Sequence, residues 1–171
     1  MTTHSVSRSR ALVRAAALAG ALAAVSLAPA GTASAEGNPT TVYDSNGEDT
    51  LMSMDKCADH TDNFRFRFFY HSGEAGAWVN VGHPIYDLKS IAMGGSGGGN
   101  HPLSFCDQGD GAGQAVANNS ASVHNWYDGY CGSVYYSAGY KGAKETIWHN
   151  SGADLSATKN NNRSVNFSTC W

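Results

Sequence analysis

The 171 residues carry 11 Lys and Arg against 14 Asp and Glu, a formal net charge of −3, with 42% apolar residues and 20 glycines. Phosphate backbones are bound by grouped lysine and arginine, and an acidic chain with no basic cluster argues against a nucleic-acid partner. Cys57, Cys106, Cys131 and Cys170 are even in number and well separated. In an exported chain they imply disulfides, with three pairings open, while a zinc site at Cys57-Ala58-Asp59-His60 lacks a second closely spaced ligand pair.

Residues 1–35 read as a secretory signal peptide. Arg8, Arg10 and Arg14 make a positive start, Ala15 to Leu27 is apolar, and Ala33-Ser34-Ala35 is a small-residue cleavage site. The apolar run is shorter than the roughly 20 residues of a membrane span. A secreted chain with no membrane attachment after cleavage is therefore expected. Removing the three leader arginines leaves 8 basic against 14 acidic residues, a net charge of −6 over the 136 residues from Glu36 to Trp171.

Residues 36–56 read as a flexible leader, in which Thr41-Val42-Tyr43 could add an edge strand. Leu51, Met52 and Met54 are apolar residues out of place in a solvated tail, so they are candidate contacts with the domain or with another protein. The unbroken alternation Phe64-Arg65-Phe66-Arg67-Phe68 predicts a strand with one buried face, Arg65 and Arg67 sharing the wet one or a docking patch. Val79-Asn80-Val81 predicts a second strand, stopped by Gly82 and Pro84. The run Gly94-Gly95-Ser96-Gly97-Gly98-Gly99 cannot build a core and reads as a loop, its far end pinned near Phe105-Cys106. No segment after residue 35 has a helical period. Val134-Tyr135-Tyr136, Thr146-Ile147-Trp148 and Ser164-Val165-Asn166-Phe167 are short aromatic and β-branched runs between turn residues, the pattern of an all-β sandwich.

The chain also repeats itself. Phe69 is followed seven places on by Gly76 and Tyr135 by Gly142; Asp87-Leu88 answers Asp154-Leu155; Asn118-Asn119-Ser120-Ala121-Ser122-Val123 answers Asn160-Asn161-Asn162-Arg163-Ser164-Val165. Leu88 to Asn118 spans 30 positions where Leu155 to Asn160 spans 5, so the first copy holds a 25-residue insertion, residues 89–113. An aromatic, six residues and a glycine, followed by an asparagine pair and a serine, resembles the Greek-key motif of the βγ-crystallin superfamily. Gly76 and Gly142 would supply the φ > 0 position of a folded-over hairpin. Tyr140 matches the further aromatic of the motif, and Glu74 departs from it.

The resemblance implies an all-β, disulfide-bonded, βγ-crystallin-like sandwich of two Greek keys. Residues 57–128 would form motif one and 129–171 motif two. It implies the bridges Cys131–Cys170 and Cys57–Cys106. It also implies a weak calcium site, with Ser122 and Ser164 as hydroxyl ligands and Asn118, Asn119, Asn160 and Asn161 shaping the loops. None of those six is a carboxylate, and calcium wants six to eight oxygens. The alternative is that these residues simply form turns and bond their own backbone. For function, no serine-nucleophile elbow, paired-histidine zinc motif or phosphate loop is present, so a non-enzymatic binding protein is expected. The chain looks most like the small secreted bacterial metalloproteinase inhibitors that use this fold, with His101 to Gly111 as the inserting loop. Alternatives are an adaptor or structural subunit of a secreted, toxin-type assembly docking through its leader, and a calcium-binding extracellular βγ-crystallin. Leu51, Met52, Met54 and Phe105 are the candidate partner contacts.

Overall fold

The computed structural model describes Pro39, residues 50–51, 53–59, 61, 63–92 and 98–171. Residues 1–35, expected to be a signal peptide, most of the expected leader including Thr41-Val42-Tyr43, Met52, and the start of the glycine run lie outside the described residues.

Among the described residues a 3-10 turn, Met54–Cys57, precedes nine strands: β1 Phe66–His71, β2 Ala75–Val81, β3 Ile91–Ala92, β4 Asn100–His101, β5 Ser122–Asn125, β6 Tyr130–Ser137, β7 Lys141–Ile147, β8 Ser151–Asp154 and β9 Ser164–Thr169. One sheet runs β2-β1-β5-β8 and the other β7-β6-β9, all antiparallel, while β3 and β4 form a small ribbon inside the insertion. The order is informative. The third strand of the second copy, β8, pairs with the last strand of the first, Ser122 opposite Asp154. In return, Ile85 and Leu88 of the first copy lie along β9: Ile85 and Val165 exchange both amide bonds, and the Leu88 amide donates to the Arg163 carbonyl at 2.7 Å. Each Greek key thus lends a strand to the other, which makes a βγ-crystallin-like sandwich whose halves complete each other.

The strand alternation explains the core. Phe64, Phe66 and Phe68 are buried; Phe66 and Phe68 join Val79, Val81, Val123, Val134, Val165 and Phe167 in the core, while Phe64 packs edge-on against His83. Phe66 packs edge-on against Phe68 and Phe167, with ring centroids 5.3 and 5.4 Å apart. Opposite Phe66 stands Gly132, where an added Cβ would come within 2.2 Å of the ring. Tyr127 closes one end, its hydroxyl donating to the Asn63 carbonyl and, at 3.2 Å, lying close to the Gly82 carbonyl. Burial holds the phenol well above its ordinary pKa, so it remains a neutral donor.

The expected wet face of β1 is partly covered. The Arg67 guanidinium lies 3.8 Å over the Trp78 ring and 5.0 Å from that of Trp126, and its Nε donates to Asn80 Oδ1 at 2.7 Å. Burial draws its pKa down from the ordinary arginine value. Asn80 in turn donates to the carbonyls of Asp55 and Ala58, which lays the 3-10 turn on this sheet.

The disulfides are Cys57–Cys106 and Cys131–Cys170, closing separations of 49 and 39 residues. In the chain-entropy model each contributes about 4 kcal/mol. The first ties the insertion to the base of motif one. The insertion also covers the open edge of β2: the Ala77 amide donates to the Asp110 carbonyl at 2.7 Å and the Cys106 amide to the Trp78 carbonyl at 2.9 Å. An uncovered strand edge invites pairing with other chains.

Replacing Gly132 with alanine should destabilise the protein by about 1–3 kcal/mol, because the methyl has no room beside Phe66. Urea unfolding measures this, and an unchanged midpoint would contradict the packing described.

Candidate functional site

Two buried serines organise each end of the repeat. Ser122 Oγ donates to the His71 carbonyl at 2.6 Å and accepts from the Glu74 amide at 3.0 Å. Ser164 Oγ donates to the Ser137 carbonyl at 2.7 Å and accepts from the Tyr140 amide at 3.1 Å. Each serine therefore latches a folded-over hairpin onto the last strand of its own key. The hairpins need left-handed backbone: Gly76 and Gly142 have φ of +78° and +82°, and Glu74 and Tyr140 also have positive φ. Where the motif departs, the structure compensates. Tyr140 packs within 5.9 Å of Tyr86 and Tyr135, whereas Glu74 reaches across to His124, 3.0 Å from Nδ1.

The asparagine segments are related by the same pseudo-symmetry. The Asn118 amide donates to the Asn162 carbonyl and the Asn160 amide to the Ser120 carbonyl, both at 2.9 Å. Asn118 and Asn160 have φ of +63° and +53°, a conformation asparagine accepts better than most residues. Asn162 was not singled out from sequence, yet it is the buried bridge between the loops: its Nδ2 donates to the Ser120 carbonyl at 2.8 Å and its Oδ1 accepts from the Asn118 amide at 3.0 Å. The run of three asparagines was the available signal.

Between hairpin and loop lie two equivalent hollows. The first, of about 520 Å³, is lined by Tyr70, His71, Ser72, Asn119, Ala121, Lys159 and Asn160. The second, of about 280 Å³, is lined by Tyr136, Ser137, Ala138, Asn118, Asn161 and Arg163. Four of the six expected ligands, the asparagines, thus reach the hollows. Ser122 and Ser164 do not: their hydroxyls are fully buried and already bonded to the hairpins. In their place Ala121 offers a methyl group and Arg163 a cation. Arg163 is paired with Asp87, Nη2 to Oδ2 at 2.8 Å, and Lys159 Nζ donates to Ser72 Oγ at 2.8 Å. Among the residues that line the two hollows there is no carboxylate. This donor set does not fit calcium, which is held by six to eight oxygens, usually with carboxylates among them. Among the described residues no group of three or more His, Cys, Asp and Glu is arranged for a metal.

Glu145 on β7 holds the loop that carries Lys159. Its carboxylate accepts from the Ser156 amide and hydroxyl, both at 2.7 Å, from the Ala157 amide, and from Thr158 Oγ1 at 2.9 Å. Burial alone would raise its pKa, but these hydrogen bonds outweigh it and hold the carboxyl below its ordinary 4.5.

The other expected contacts divide. Met54 is 88% exposed, Leu51 is half-buried against the core, and Phe105 is 2% exposed, stacked edge-on with Tyr70. Phe105 is therefore a core residue and offers no side chain to a partner. Among the described residues three histidine–carboxylate pairs are found, His71–Asp110, His124–Glu74 and His149–Asp128, and none of these rings bonds a described serine hydroxyl.

No family model matches the chain, and no curated protein matches it. A solved structure described as "Evolution of the eye lens beta-gamma-crystallin domain fold" is similar over 64% of this chain and 89% of that one, at 14% identity and a TM-score of 0.44. A likeness at that level carries no argument about ancestry or activity, and the architecture rests on the strand order and the latches.

Ser164→Ala should cost about 1–3 kcal/mol, since a buried amide and carbonyl lose their partner. Equilibrium unfolding tests it; a loss below a few tenths would remove the latch from the account. For Glu145, a depressed folded pKa means that its contribution is present above 4.5 and is lost as the pH falls through the folded value. The stability gap between the wild type and Glu145→Gln should therefore narrow on acidification, as read from thermal unfolding at a series of pH values.

Proposed function

We propose that this chain is an exported, non-enzymatic protein-binding module of the peptidase-inhibitor type, presenting the tip of its insertion to a protease cleft. The observation that carries the reading is the way that tip is held. Asp107 to Asp110 are exposed, with the Cys57–Cys106 bridge on one side and the bond from the Ala77 amide to the Asp110 carbonyl on the other. The Phe105 amide donates to the Gln114 carbonyl at 2.9 Å and the Gly113 amide to the Phe105 carbonyl at 3.1 Å, closing the loop from beneath. A loop already fixed in one conformation loses less entropy on docking, which is how rigid inhibitors gain affinity.

Residues 36–171 should inhibit an extracellular metalloprotease without being consumed. The double variant Cys57→Ser/Cys106→Ser should inhibit at least about 10-fold more weakly, roughly 1.4 kcal/mol of binding free energy, while retaining the Cys131–Cys170 bridge. A wild-type chain that leaves such proteases unaffected, or is cleaved in the 107–110 segment and released, would end the proposal.

Met54 favours a second reading, that of an adaptor in a secreted assembly. An 88% exposed methionine on a turn anchored through Asn80 is positioned for a partner. Exposed Trp148 and Trp171 add aromatic surface of the kind enriched at protein interfaces. Deleting residues 36–56 should abolish partner capture from culture supernatant and leave protease inhibition intact.

A further inference from the structure

We infer that Lys159 and Arg163 are built-in cations standing where a divalent metal would neutralise the two hairpin–loop junctions, so that this sandwich is closed by its own side chains and is indifferent to calcium. The inference is independent of the inhibitor reading and concerns the hollows alone.

Pseudo-symmetry makes the argument specific. Asn119 matches Asn161, Asn160 matches Asn118, and Tyr70, His71 and Ser72 match Tyr136, Ser137 and Ala138, so each hollow is built from the same places in the repeat. Each is lined by one lysine or arginine, but from different places. In the first hollow the cation is Lys159, whose counterpart in the repeat is Ala117. In the second it is Arg163, whose counterpart is Ala121. Two copies diverging from one unit have therefore each placed a single positive charge among oxygen-bearing groups, by different substitutions. That is the outcome expected when the junction needs a cation and the position supplying it is free to vary.

The local bonds agree. Lys159 Nζ reaches over to hairpin one at Ser72 Oγ, joining the second copy's loop to the first copy's hairpin. Arg163 forms a fork with Asp87, Nε and Nη2 to Oδ1 at 3.1 and 2.9 Å and Nη2 to Oδ2 at 2.8 Å. Asp154, which occupies the place of Asp87 in the second copy, bonds the Gly73 amide of hairpin one instead, at 2.6 Å. Arg163 thus takes up Asp87, and the two serine hydroxyls are held by the hairpins. A calcium ion would meet the Lys159 ammonium in the first hollow and, in the second, a guanidinium that already holds Asp87, with no carboxylate among the lining side chains of either to overcome the repulsion.

The test is thermal unfolding of residues 36–171 in calcium and in chelator, with calorimetric titration of calcium chloride. The wild type should give the same Tm in both and no binding heat. Lys159→Asp, at an exposed position, replaces the cation of hollow one with a carboxylate. Arg163→Ser removes the guanidinium from hollow two and frees Asp87. Each should create a calcium-dependent rise in Tm of roughly 2–6 °C in millimolar calcium, if the new sites have the affinity of about 10⁻⁴ M found in extracellular modules. Arg163→Lys keeps a cation and should stay indifferent. If Arg163→Ser does not fold, Lys159→Asp and the wild type still decide. A wild type stabilised by calcium overturns the inference, as does a folded Lys159→Asp that ignores it. Loss of protease inhibition in any variant would bear on the loop reading and leave this one untouched.

Discussion

The structure depends on the way a folded-over hairpin is held to the sheet beside it. Folding the β1–β2 and β6–β7 turns back over the sandwich buries a carbonyl and an amide at each bend, and a buried backbone group without a partner costs about 1–3 kcal/mol. One hydroxyl can satisfy both, as donor to the carbonyl and acceptor from the amide. Ser122 and Ser164 do this at equivalent places. Because each serine sits on a strand that also pairs with the opposite copy, the latch closes more than a hairpin: it aligns the strand along which β8 or the Ile85–Leu88 segment must run.

Interleaving then makes the two Greek keys interdependent while leaving room for their surfaces to diverge. Glu74 and Tyr140 occupy the same bend, and one is held by an imidazole while the other is held by two tyrosine rings. Asp87 and Asp154 occupy equivalent positions in the repeat, and one grips a guanidinium while the other grips a hairpin amide. In each case the demand set by the backbone is met with different chemistry. The two hollows show the same freedom, the cation arriving from a different residue in each.

A related contrast separates the hairpins' outer strands. In motif one the insertion lies along β2, fixed by the Cys57–Cys106 bridge and by main-chain bonds at Ala77 and Cys106. In motif two there is no insertion, and Glu145 of β7 gathers the short loop Ser156–Thr158 with one carboxylate. A segment of 25 residues thus stands in one copy where a loop held by a single side chain stands in the other. The former carries the exposed 107–110 segment beside a disulfide, on which the binding proposal rests.

Much of the architecture was legible in the residues themselves. The Phe64 to Phe68 alternation, the aromatic–glycine spacing and the repeated asparagine–serine segments are local signals, and local signals report strand period, turn conformation and duplication directly. The role of the repeated serines was not legible, because a serine after an asparagine pair has the same spelling whether its hydroxyl faces a metal or a hairpin carbonyl. Nor was the burial of Phe105 or the partial cover over the Arg67 guanidinium, since an aromatic beside a cysteine and an arginine on an alternating strand both suit a surface until another segment is laid over them. Lys159 gained its meaning only when the second copy's loop met the first copy's hairpin, Arg163 when Asp87 of the first copy was laid beside it, and Glu145 when the Ser156–Thr158 loop folded onto β7. Sequence alone determined which residues bend, alternate and recur, through forces acting within a few residues. Which groups meet was decided by the exchange of strands between the copies, because that exchange brings together side chains lying as far as 87 positions apart in the chain.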